Sequence, residues 1–499
     1  MKNLRTLKIE NSHIYLAVIL ALAIYLRFSN LAWETVIYDE VPIIKSAEVY
    51  TRGDFVTQGF IAFDVPPMMK YMAALSLYFL GFSEAGIRIF SAVFGVLTSV
   101  LIYIFAKKYY DQKTALLAAG LVSFSILHIT MSRYMETVVP AGFFYLLSLY
   151  FLLQFDNKRS YIFLGASLAL GMLTKYILLY AIVTTIIYFV IKKYISLNLR
   201  PRFTISIDNR VLKTFLVGVV IFLLLWPFFL YPLNVNVSLD VSGRTRDFTT
   251  MIPLGFMTFG DVAKSATIGE RPDVGLRSFP ILGYFLLFLA KENTVFVVLF
   301  FTGLFAMYKK RRPADKFIAL FIVTFFILLF LQNWGYTFRY IPVITPMLAI
   351  VAARSTEFMR KSYFIIFAVA ILAFLYAIQF APHYVLHYNT LDNAFHFSED
   401  TNLVNFFSEG MKETIYYAKE NCTKLMTYYE YFMDDIYVPE NFTTSSNSLD
   451  ELPACVMDSS NKYIPRFSEV LSTASCTLKK ISYVNGKEFF RIYYCDKAA

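Results

Sequence analysis

Tyr38-Asp39-Glu40 places two adjacent carboxylates just past the first apolar run of the chain, and Lys45, Glu48, Asp64 and Lys70 follow in the same polar stretch. An ionisable side chain at the edge of a membrane needs a partner or a task, because the low dielectric penalises its charge. A carboxylate within hydrogen-bond reach of a hydroxyl can take its proton, and cationic donors can stabilise charge growing on a leaving phosphate. Asp39 and Glu40 are therefore the candidate catalytic pair. The candidate phosphate ligands are Arg88, Lys70, Arg339 with its neighbour Tyr340, and Lys175. The planar fork of Arg matches phosphate oxygens better than the point charge of Lys, which ranks Arg88 and Arg339 first. Asp64, Arg133, Glu136, Arg244, Arg246 and Arg271 are candidates for the acceptor side. One base suffices when the leaving group is already good, so this set suits an inverting transfer with cations in place of a general acid.

Plainer roles compete with these. Arg88 follows Glu84 by one helical turn and can pair with it; Arg339 can anchor at an interface; Lys70 and Lys175 can extend their stems toward headgroups. His128, His383, His387 and His396 show no compact metal-ligand spacing. No cofactor is required, and a divalent ion between Asp39 and Glu40 is compatible with the pair without being demanded by it.

The elements that would position these residues are apolar helices. With 57% hydrophobic and 16% charged residues, the chain lies outside the range of soluble domains, which carry about 25% charged residues. Its ten surplus positive charges fall in short clusters between apolar runs, the distribution of topology signals and not of a nucleic-acid face. Runs near 12–29, 86–106, 114–132, 137–155, 160–175, 176–194, 211–231, 292–308, 314–332, 339–354 and 362–380 predict about eleven transmembrane helices. Residues 66–82 are also long enough to cross. If they do not, Lys107-Lys108, Lys158-Arg159, the basic stretch 192–213, Lys309–Arg312 and Arg354–Lys361 all share the side of the N-terminus, as the positive-inside rule requires. Residues 66–82 then read as an amphipathic helix along the outer interface. The outer face collects the first loop, 30–85, the large loop 232–291, and everything beyond 382. Lys2, Arg5 and Lys8 precede an apolar core with no small-residue cleavage site, which reads as an uncleaved first helix.

Residues 1–382 thus form the expected membrane core, and 383–499 a second, polar domain. Cys422, Cys455, Cys476 and Cys495 all lie in that domain, which suggests two disulfides in an oxidising compartment with their pairing open. Segments 480–484 and 488–494 flank an Asn485-Gly486 turn, so a small α/β domain with a hairpin is expected. The sequons at Asn236, Asn421 and Asn441 all fall on the expected outside.

Tyr38-Asp39-Glu40, then Phe63-Asp64-Val65-Pro66-Pro67-Met68-Met69-Lys70, then Gly86-Ile87-Arg88-Ile89-Phe90-Ser91-Ala92 resemble the N-terminal half of the protein O-mannosyltransferases and their prokaryotic relatives. These belong to the GT-C class of polyprenyl-phosphate-sugar-dependent glycosyltransferases. The resemblance extends through Gly165 to Lys175-Tyr176 and reaches Arg339-Tyr340 with Pro342 and Pro346. Val65 stands where that family has His before Pro-Pro, and Met69 where it often has Gly. The resemblance implies a polytopic α-helical GT-C fold, Asp39 as catalytic base, Glu40 shaping the donor site and Arg88 at the donor phosphate. It further implies a dolichyl- or polyprenyl-phosphate sugar donor, most simply mannose, and a protein or glycan hydroxyl as acceptor. The expected location is the cell membrane, with the site outside, and the features together look more archaeal than bacterial. A transporter or flippase is the alternative, and would place charges at mid-helix in two repeated halves.

Overall fold

The computed structural model describes residues 11–33, 36–37, 40–53, 65–157, 159–196, 209–230, 237–241, 244–248, 280–331, 338–359, 362–382, 384, 411–426, 443–445, 452–459, 471, 474–484 and 487–496. In chain order the helices are α1 (Asn11–Phe28), α2 (Val41–Thr51), α3 (Met68–Leu80), α4 (Glu84–Tyr109), α5 (Gln112–Ser123), α6 (Ile126–Ser132), α7 (Val138–Leu152), α8 (Ser160–Thr174), α9 (Leu179–Ser196) and α10 (Asn209–Leu225). A two-stranded hairpin follows, β1 (Val237–Val241) and β2 (Arg244–Phe248). Next come α11 (Pro280–Lys291), α12 (Thr294–Lys309), α13 (Pro313–Leu331), α14 (Ile341–Ala353) and α15 (Tyr363–Ile378). The chain closes with α16 (Met411–Asn421) and strands β3 (Lys424–Met426), β4 (Thr443–Ser445), β5 (Ala454–Ser459), β6 (Ser475–Val484) and β7 (Lys487–Asp496).

Local sequence sets the helix ends. Ser83 caps α4 by accepting from the Gly86 amide, and Asp111 caps α5 by accepting from Lys113 and Thr114. Lys107 and Lys108 occupy the last turn of α4, where the helix dipole favours cations. Gly81 ends α3 at φ +69°, a conformation that a side chain would strain. Among the described residues, α4 is the single straight helix long and apolar enough to cross a membrane, and α5 with α6 make a second such segment bent by 56°. Shorter apolar helices lie at 12–28, 68–80, 138–152, 160–174, 176–191, 294–309 and 363–378.

One expectation needs correction. The apolar run at 114–132 is not one straight helix but breaks at Phe124-Ser125. Within the span 232–291, Pro280 opens helix α11, and α12 follows from Thr294. Proline suits the first turn of a helix, and the apolar stretch Ile281–Ala290 supplies a face to bury.

The core sits where α14 passes through the bundle, buried along its whole length against α5, α7 and α12. Two glycines set the closest approaches. A Cβ on Gly303 of α12 would collide with the Val351 carbonyl of α14, and one on Gly165 of α8 with the Thr214 carbonyl of α10. At the far end of α4, Arg354 is fully buried. Its guanidinium reaches Asp315 at 3.2 Å and Glu357 at 2.7 Å, while Arg312 reaches Glu357 at 3.0 Å. The Tyr110 hydroxyl donates to Asp315 at 2.9 Å, so this network ties together the turns after α4, α12 and α14.

The C-terminal part is a five-stranded sheet of order β4-β3-β5-β7-β6. Strands β3/β4 and β3/β5 are parallel, while β5/β7 and β6/β7 are antiparallel. Disulfides join Cys422 to Cys455 and Cys476 to Cys495. One apolar cluster joins Ile415, Ala418, Leu425, Met457, Phe490 and Ile492 of this part to Val36, Ile44 and Ile87. The sheet therefore rests on the segment that surrounds Glu40.

Candidate active site

Glu40 precedes α2 and is fully buried. Its Oε1 accepts from Arg88 Nε at 2.8 Å and from the Met135 amide at 2.6 Å. Its Oε2 accepts from Arg88 Nη2 at 2.7 Å and from the Ile37 amide at 3.0 Å. These four bonds take up the roughly four lone-pair directions of a carboxylate. Arg88 also donates to the Leu31 carbonyl at 3.1 Å and lies over the Tyr134 ring at 5.1 Å. Glu40 thus gathers three stretches that are remote in sequence: its own loop, the first turn of α4 and the turn after α6. Arg88 thus pairs with a carboxylate 48 residues away in sequence.

Arg133 does a different job. Its guanidinium donates to the carbonyls of Leu26 at 3.0 Å, Ser29 at 2.7 Å and Asn30 at 2.9 Å, closing the C-terminal end of α1. It also stands 5.5 Å from the Tyr384 ring centre. Burial pushes the Tyr384 hydroxyl up to about 12, against the pull of Arg133 and Arg27. Arg88, Arg133, Tyr134 and Tyr384 line a small cleft together with Leu31 and Thr130.

A second group lies on the other side of the same turn. Glu136 meets Lys175 at 3.7 Å, and Lys175 lies 5.5 Å from the centre of the Tyr340 ring, which Arg339 also approaches at 5.4 Å. The Lys175 side chain keeps 19% of its surface open, whereas Arg88 keeps 1%. Lys70 is buried in the first turn of α3. Met69 beside it packs with Met135, and Met68 packs against Leu173 and Trp226, so this turn bridges the Glu136 and Lys175 sides. The structure therefore brings together Glu40, Arg88, Arg133 and Glu136 through one turn, and Glu136, Lys175, Tyr340 and Arg339 through the next contacts. Asp39, Asp64 and Arg271 lie outside the described residues. Arg244 and Arg246 are placed in β2, where they pair with Val241 and Leu239 in the strand register. Among the described residues no three His, Cys, Asp or Glu side chains gather as a metal site.

Residues 64–231 match the dolichyl-phosphate-mannose-protein mannosyltransferase family. Over nearly its whole length the chain superposes on the ArnT structures from Cupriavidus metallidurans, in the apo state and bound to undecaprenyl phosphate. The TM-score is 0.56 at 12% identity, covering 97% and 96% of this chain and 98% of ArnT. The chain resembles the GT-C glycosyltransferases. The Archaeoglobus fulgidus oligosaccharyltransferase has the GT-C fold as well, at TM-score 0.50 and 12% identity, covering 85% of this chain and 63% of that one. An uncharacterised protein of Aquifex aeolicus is 35% identical over 167 residues, a match that spans about a third of its length, 34%. The family match begins at Asp64, so it includes Lys70, Arg88, Arg133, Glu136 and Lys175 but not the Asp39-Glu40 pair.

Arg27 and Glu292 escaped sequence reasoning as site residues, and His128 was weighed there only as a metal ligand; each is fully enclosed. Arg27 and Glu292 stand at the edges of apolar runs, where a charge reads most simply as a boundary marker.

Proposed function

We propose that the chain is a membrane glycosyltransferase that moves a sugar from a dolichyl or polyprenyl phosphate to a hydroxyl on a protein or glycan, with inversion. The match to a mannosyltransferase family supports mannose as the sugar. The observation that carries the reading is the saturated Glu40–Arg88 pair. It anchors the residue next to Asp39 beside the turn that holds Glu136 against Lys175.

In this reading the two carboxylates divide the work. Glu40 has all its lone pairs engaged and organises the loop, while Asp39 is the base. Asp39 takes the proton of the acceptor hydroxyl as the oxygen attacks the anomeric carbon. The bond from that carbon to the phosphate oxygen breaks, and its electron pair stays on the departing polyprenyl phosphate. Lys175 and Arg339 meet that charge. The partial exposure of Lys175 and the enclosure of Arg88 favour Lys175 as a phosphate ligand and Arg88 as the support of Glu40, which reverses their ranking by side-chain type alone. Helix α3 supports the interfacial placement: Met69, Lys70, Ala73 and Ser76 are buried, while Tyr78, Phe79 and Leu80 stay 61–72% exposed at its end. The site and the C-terminal sheet then face the outside of the cell membrane.

Purified protein in nanodiscs, given radiolabelled dolichyl-phosphate-mannose and a panel of peptide and glycolipid acceptors, should transfer label. Asp39→Asn should reduce turnover by about 10²-fold or more, the lower range for a lost general base, with the folded yield unchanged. Turnover retained in D39N would remove Asp39 from the base role.

A further inference from the structure

Helix α5 ends at Ser123 and α6 starts at Ile126, with 56° between them. A break within apolar surroundings frees carbonyls at the end of one helix and amides at the start of the next, and each must find a partner. Side chains from two distant elements supply them. From α1, Arg27 donates to the Ser123 carbonyl at 2.9 Å and the Val122 carbonyl at 3.2 Å. From the junction of α11 and α12, Asn293 Nδ2 donates to the Phe124 carbonyl at 3.4 Å, and Glu292 accepts from the Ile126 amide at 2.9 Å and from Ser125 Oγ at 2.6 Å. Ser125 Oγ in turn accepts from the His128 amide at 3.2 Å.

Both charged groups are fully buried, and neither takes part in the proposed chemistry. Arg27 is held further by His128, whose Nδ1 lies 3.0 Å from Nη2; a guanidinium has no lone pair, so Nδ1 is the acceptor. The cradle is close-fitting, since a Cβ on Gly95 would stand 2.6 Å from Arg27 Nε. Only seven residues separate this bearing from the site turn: α6 runs Ile126–Ser132, and Arg133, Met135 and Glu136 follow. Such a helix is about 10 Å long, so a tilt of roughly ten degrees at its base displaces its far end by about 2 Å. A displacement of about 1 Å is enough to lower turnover by about 10²-fold in a preorganised site.

We propose that Arg27 and Glu292 are positioning residues: with Asn293 they set the angle between α5 and α6 and so hold the Arg133–Glu136 turn against Glu40 and Lys175. Its catalytic consequence rests on the function proposed above, but the mechanical part does not. The test is hydrogen exchange on the full chain in nanodiscs, followed by transfer kinetics. In Glu292→Ala the Met135 amide, which donates to Glu40 at 2.6 Å, should exchange roughly tenfold faster, the scale of one lost helix cap. Amides of α10 and α13 should be unchanged. Glu292→Gln, which still offers an acceptor to Ile126, should restore most of the protection. With dolichyl-phosphate-mannose, E292A should lower kcat about 10²-fold while leaving KM for the donor within about twofold. If E292A does not fold, Arg27→Lys provides the same readout, since a single ammonium nitrogen lacks the fork that places Nη1 on the Ser123 carbonyl and Nη2 on the Val122 carbonyl and His128. Unchanged Met135 exchange in folded E292A or R27K overturns the proposal, and so does an equal rise throughout α10 and α13. Exchange needs no substrate, so a wild-type chain that transfers nothing would sink the proposed function and leave this question decidable.

Discussion

At the scale of single residues, Glu40 shows why the type of a side chain does not settle its task. Two adjacent acids look equivalent in sequence, yet Glu40 spends every lone pair on Arg88 and two backbone amides. Removing one partner of such an enclosed pair leaves an uncompensated charge, which destabilises by about 3–5 kcal/mol. Arg88→Ala should therefore lower the denaturation midpoint strongly, and the loss should be read in a thermal melt before any donor-binding assay is interpreted. Exchanging the two residues, Glu40→Arg with Arg88→Glu, should not rescue it. A guanidinium at 40 has nothing to offer the Ile37 and Met135 amides; a melting temperature restored to the wild-type value would show that charge pairing alone matters there. The sequence marked Asp39, Glu40, Arg88, Glu136 and Lys175 as notable because charge near lipid is costly. It could not show the Glu40–Arg88 bond, because a partner 48 positions away has no local signature while Glu84, one turn away, does.

At the scale of elements, apolar length was the readable quantity, and it located α1, α4, α7, α8, α9, α12, α13, α14 and α15 to within a few residues. Breaks were not readable in the same way. Phe124-Ser125 and Glu292-Asn293 lack Pro or Gly, the usual punctuation, and depend on each other through space. The turn network at the far end of α4 permits a titration prediction. Partial burial pushes the Glu357 carboxyl up, but hydrogen bonds from Arg354 and Arg312 and their charges outweigh it and hold it down at about 2. A carboxyl lowered on folding contributes stability that is complete above its unfolded value, near 4.5, and disappears as pH falls toward about 2. The melting temperature should therefore fall between about pH 4.5 and pH 2, and Glu357→Gln should flatten that slope. A mutant with the wild-type slope would assign the acid sensitivity to other groups.

At the scale of the whole molecule, the proposed sidedness of the loops rests on the placement of the basic clusters and on no motif. If Lys107-Lys108 and Lys309–Arg312 lie on the inner side, as the positive-inside rule proposes, single cysteines near 110 and 310 should react with a permeant maleimide and stay protected from an impermeant one in intact cells. The reverse labelling would turn the chain over and place Glu40 inside. The C-terminal sheet adds a constraint of time. Val36, Ile44 and Ile87 share one apolar cluster with Phe490 and Ile492, yet synthesis runs from the N-terminus at about 5–20 residues per second. The segment around Glu40 is therefore made early and must wait, one side uncovered, until Phe490 and Ile492 have left the ribosome. A nascent chain can insert its apolar helices and still lack the cover over the segment around Glu40, so the assembly there depends on strand β7 having been made.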